Sequence, residues 1–145
     1  MVKLSILFFL LVGAINHHSV EPTASAKNRY VSVQLSSTHL LYNHGVGNEW
    51  NHFLSVNDQI LSIDEKSIFK LNKRAPFVIE AHAVENDKDY PDIGTQKFTL
   101  NYSDLGALDQ DLFKVNVVVV ENSGRLAGKM AEWVFHFKVS RVKKP

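Results

Sequence analysis

Residues 83–105 read A-V-E-N-D-K-D-Y-P-D-I-G-T-Q-K-F-T-L-N-Y-S-D-L, an apolar strand running into a short acidic turn and out again into an alternating strand. Glu85, Asp87, Asp89 and Asp92 all fall inside that turn. Carboxylates crowded so closely repel one another unless something positive sits among them. A cation, a partner's Lys or Arg, or water would each serve, and at this stage all three remain open.

Working outward, the chain reads as strands on both sides of the turn. Tyr30–Leu35 alternates apolar and polar residues, as does Trp133–Val139, the pattern of a strand buried on one face. Trp50–Val56 and Gln59–Ile63 flank Asn57-Asp58, a hairpin signal. Ser67–Leu71, Phe77–Val84 and Thr95–Tyr102 add three more strands. Phe113–Val120 is a continuous β-branched run, expected to be a central strand buried on both faces. Ser36–Asn48 and Glu121–Ala131 are glycine-containing loops, Ser103–Asp111 is the one helix candidate, and the tail from Arg141 is expected to fray. About eight short strands with turns between them and hardly any helical periodicity imply an all-β fold, a single antiparallel β-sandwich.

The first 26 residues have the pattern of a cleaved signal peptide. Lys3 gives a positive start, Leu4–Ile15 an apolar run too short to span a bilayer, and Ala24-Ser25-Ala26 a small-x-small cleavage site. Residues 27–145 then form one domain, large enough to bury a core without staples. The chain has no cysteine, which excludes disulfides and thiolate metal sites and suits a secreted bacterial protein. Losing Lys3 and Glu21 with the signal leaves the net charge at +1. So balanced a charge argues against nucleic-acid binding. The expected location is extracellular, with no transmembrane span in the mature chain.

The order Glu85-x-Asp87, Asp92, Ile93-Gly94 and then Ser103-Asp104-Leu105 resembles the C2-domain family, eight-stranded sandwiches that bind calcium and phospholipid. The resemblance covers residues 83–105. It implies a sandwich fold, a calcium ion held by Glu85, Asp87, Asp89 and Asp92, and contact with an anionic surface. Such members also take aspartates from an earlier loop, whereas neither Ser36–Asn48 nor Asn57-Asp58 supplies a pair.

Calcium takes six to eight oxygens, and an acidic loop with few ligands predicts weak binding, on the order of 10⁻⁴–10⁻³ M as in extracellular modules. Lys66, Lys70, Lys73 and Arg74 form a basic set beside one strand. They would either meet an anionic surface or, the preferred reading, guard a sheet edge against pairing. His39, His44, His52, His82 and His136 have no metal-ligand spacing, and no G-x-S-x-G is present, so no enzymatic site is expected. Trp50 and Trp133 read as core; a surface grouping of Trp50 with Tyr42 and Tyr90 would instead make a carbohydrate platform. The expectation is a secreted non-catalytic binding module for calcium and a protein or anionic surface. The alternative is a small exported inhibitor or immunity-type protein that covers another protein with its loops.

Overall fold

Period-two alternation sets the architecture. In a computed structural model that describes residues 29–71, 76–87, 90–106 and 111–145, eight strands follow in order. They are β1 (Arg29–Asn43), β2 (Trp50–Val56), β3 (Gln59–Leu61), β4 (Lys66–Leu71), β5 (Phe77–Glu85), β6 (Asp92–Leu100), β7 (Asp111–Val120) and β8 (Met130–Val142). They pair antiparallel in two four-stranded sheets, ordered β4-β1-β8-β7 and β3-β2-β5-β6. The chain is therefore an all-β antiparallel sandwich, as the spacing of strands implied. The signal-peptide segment, Lys73, Arg74 and Asp89 lie outside the described residues.

Each inner face is apolar. Val31, Val33 and Leu35 from β1 meet Leu54 and Val56 from β2, Ile79, Ala81 and Ala83 from β5, Val117 and Val119 from β7, and Phe135, Phe137 and Val139 from β8. Burying one such side chain contributes about 1.5–3 kcal/mol, so this core can tolerate a few costly polar groups elsewhere. Asn57 and Asp58 both have positive φ, 48° and 64°, as a two-residue hairpin requires.

Four sequence expectations need correction. The run Phe113–Val120 is not a central strand: β7 is an edge, with Leu112, Val118 and Val120 on its exposed face. Its composition resembles a doubly buried strand because β-branched residues occupy both faces, yet it is Phe113, Val115, Val117 and Val119 that point inward. The first strand does not stop at Leu35 but continues to Asn43, past two irregularities at Leu35/Ser37 and Leu40/Tyr42 that keep it paired with β8. Such bulges absorb an extra residue while pairing resumes beyond. The helix candidate is only a single 3-10 turn at Tyr102–Asp104, its last part lying outside the described residues. The tail is ordered as strand to Val142, because the Arg141 guanidinium donates to the Tyr102 carbonyl at 2.8 Å and lies 4.5 Å over the Tyr102 ring.

β4 is an edge strand, and Lys66 and Lys70 are exposed on it. Among the described residues no helix is long and apolar enough to cross a membrane.

The two sheets approach closely where β6 passes β7. A side chain at Gly94 would collide with the Val118 carbonyl and come within 2.8 Å of Val119 Cγ2 and 2.9 Å of Val117 Cγ1. A backbone carbonyl cannot swing aside as a side chain can. Gly94→Ala should therefore lower the urea midpoint, a loss of about 1–3 kcal/mol typical of overpacking; an unchanged midpoint would show that the sheets have slack there.

Candidate metal centre

The strand alternation that fills the core also ends in acid. Along β5 the inward series Phe77, Ile79, Ala81, Ala83 reaches Glu85 at its last step. Asp92 opens β6 directly opposite Glu85 in the ladder, so both carboxylates enter the same end of the sandwich. Both are buried, at 2% and 1% exposure. Asp87, exposed in the connecting loop, turns back over them. Oxygens of Glu85, Asp87 and Asp92 all lie within 4.8 Å of one another.

A fourth acid arrives from the other sheet. Beyond the inward series Val115, Val117, Val119, the same two-residue step carries Glu121 into this end, where it is also buried. It lies close enough to Asp92 for the two charges to repel. Desolvation raises the Glu121 pKa above the ordinary value, and the charges of Asp92 and Asp87 raise it further.

Backbone amides from two different loops orient the two inner carboxylates. The Asn122 amide donates to Asp92 Oδ1 at 2.9 Å, and the Glu49 amide reaches Glu85 Oε1 at 3.4 Å. The remaining oxygens, Glu85 Oε2 and Asp92 Oδ2, are buried and have no hydrogen-bond partner. Leaving such an acceptor unsatisfied costs about 1–3 kcal/mol, more when it is charged. Two of them on facing residues of one ladder mark a place where a positive group belongs.

The loop Asn43–Trp50 closes one side. Asn43 holds it by accepting from the Gly45 amide and donating to the Gly47 carbonyl, both at 2.9 Å, and Trp50 Nε1 donates to the same carbonyl. A side chain at Gly47 would occupy the space of the Glu85 carboxylate itself, so glycine here serves close approach. The Asn86 amide donates to the Glu49 carbonyl at 2.8 Å and fastens the acidic loop to this one. Over the cluster lies an open cleft of about 470 Å³, lined by Asn48, Glu49, Asn86 and Tyr90 among others. An adjoining cleft of about 370 Å³ shares Gly47, Asp87 and Ser123 with it and extends to Arg125.

Of the residues singled out in sequence, Glu85, Asp87 and Asp92 come together, and Asp89 lies outside the described residues. Glu121 was missed, although the alternation of valines before it would have placed it inward had the run been read as one-sided. Lys66 and Lys70 lie elsewhere: β4 pairs with the Arg29–Gln34 half of β1, while the acidic end lies beyond Asn43.

None of His39, His44, His52, His82 and His136 joins a group of three potential ligands among the described residues. His39 and His136 both hydrogen-bond Ser37, and His82 bonds Thr95. His52 is packed 3.9 Å from the Trp133 ring. Trp50 is half-buried against Trp133 rather than displayed, while Tyr90 is 72% exposed. No protein-family model matches the chain, and no curated protein sequence matches it.

Two pH effects are expected. Burial lowers the His52 pKa from 6.5 to about 4. Stability from the neutral ring is thus complete above pH 6.5 and is lost as pH falls through 6.5 towards 4; His52→Phe should flatten the urea midpoint across that window. Glu121 has the opposite sense, since its raised pKa makes the ionised form unfavourable in the fold. In chelator, Glu121→Gln should raise the melting temperature at pH 7, with the difference vanishing below the unfolded value of 4.5; an equal gain at pH 4 would contradict this account.

Proposed function

We propose that this protein is an exported, non-catalytic binding module, a C2-like sandwich that binds calcium at the acidic end. The observation that carries the reading is the pair of buried, unpartnered oxygens, Glu85 Oε2 and Asp92 Oδ2, held among further carboxylates. Calcium suits this donor set, being a hard cation that takes oxygen ligands in flexible geometry. No pair of the three donor oxygens exceeds 4.8 Å, a spacing that fits opposite sides of a calcium shell, which are ~4.6–5.2 Å apart for bonds of 2.3–2.6 Å. Glu85, Asp87 and Asp92 are the principal ligands and Glu121 a fourth. The earlier aspartate loop of typical C2 members has no counterpart here; in its place Glu121 brings a carboxylate from the opposite sheet. The signal-like residues 1–26 support export, and eight strands in two sheets agree with the C2-like strand count.

The same two oxygens also support a second reading, in which a Lys or Arg of another protein enters the cluster, as in an inhibitor or immunity-type partner. Dependence on calcium separates the two. Calorimetric titration of the purified protein should give one site with a Kd on the order of 10⁻⁴–10⁻³ M. Glu85→Gln and Asp92→Asn should each weaken it at least about tenfold, the loss of about 1.4 kcal/mol. No heat and no thermal shift at several times that concentration would remove calcium, and a protein partner retained in chelator would favour the second reading.

A further inference from the structure

The cleft over the acidic cluster presents more than a cation needs. One oxygen each from Glu85, Asp87 and Asp92, with Glu121 taken as the fourth ligand proposed above, leaves at least two positions of a six- to eight-coordinate calcium shell open. Glu85 and Asp87 line the open cleft while Asp92 is buried behind them, so those positions would face the cleft, with the Asn43–Trp50 loop as one of its walls. Three or four carboxylates already match or exceed the charge of a divalent ion, so the remaining ligands are neutral oxygens rather than carboxylate or phosphate.

The wall beside the cluster fits the same chemistry. Tyr90 lines this cleft with 72% of its surface exposed. A large aromatic ring left open at a cleft edge offers an apolar face with a polar tip. Asn48, Asn86 and Ser123 line the cleft as uncharged hydrogen-bonding groups, able both to donate and to accept. Neutral paired oxygens, an apolar ring face and amide partners together describe a sugar.

We infer that the site binds a neutral saccharide, two neighbouring ring hydroxyls completing the calcium shell while the C–H face of the ring packs on Tyr90. This rests on the calcium reading above. No covalent step is involved, since the hydroxyls displace water from the ion and leave unchanged. Specificity among sugars would follow from whether a vicinal pair can reach the ion with the ring still seated on Tyr90.

Saturation-transfer NMR on the purified protein with glucose, mannose, galactose and fucose tests this, alongside calorimetry with calcium alone. The expected result is transfer to ring protons of at least one of the four sugars in calcium, abolished by chelator. Tyr90→Ala should weaken sugar binding about fivefold, the scale of a lost aromatic contact, without altering the calcium titration. Absence of transfer from all four, with calcium still bound, would overturn the saccharide and leave the calcium module standing. Transfer that persists in chelator, or that is unaffected by Tyr90→Ala, would overturn the metal-bridged geometry. Failure of calcium itself to bind would overturn both readings.

Discussion

Like charges forced into one interior end of a β-sandwich are the constraint around which the rest of this structure is arranged. The inner faces of β5 and β7 are filled with Phe, Ile, Ala and Val, and each inward series runs to a glutamate at its final step. Asp92 sits across the ladder from one of them, and its charge acts on the other. Repulsion in a poorly solvated place is strong. The fold offsets part of it with two backbone amides, and what remains raises the Glu121 pKa above its ordinary value.

How closely the acids meet depends on how closely the sheets meet. β6 and β7 are the edges of different sheets, and Gly94 lets them approach until a side chain would strike the Val118 carbonyl. That approach sets Asp92 within reach of the Asn122 amide and of Glu121. Gly47 performs a similar service from the opposite wall, lying where a side chain would displace the Glu85 carboxylate. Neither glycine is needed there for a positive φ, since both act by leaving space. The far end of the sandwich has another chemistry, with Arg29 and Arg141 lying over the Tyr102 ring.

Much of this was legible in the residues. Tyr30–Leu35 and Trp133–Val139 announced half-buried strands, Asn57-Asp58 a tight hairpin, and Glu85, Asp87 and Asp92 a cluster of acids. The misreadings have physical causes. Valine is favoured on either face of a strand, so Phe113–Val120 did not reveal which of its faces meets the core. With that parity hidden, Glu121 looked like the start of a loop. The second half of β1 was read as loop because it runs into Asn43 and then Gly45, Gly47 and Asn48, whereas pairing with β8 carries the strand on to Asn43. Arg141 looked like a frayed tail because its partner Tyr102 lies 39 residues away.

Local sequence, then, determined that the chain forms short antiparallel strands and that four acids share one turn, since periodicity and turn chemistry act between near neighbours. Tertiary structure alone decided that Glu85 and Asp92 are buried rather than solvated, that a glutamate from the other sheet joins them, and that an oxygen of each is left without a partner. Burial and convergence depend on how closely two sheets pack, a distance set by residues such as Gly94 and Gly47 that are remote from one another along the chain.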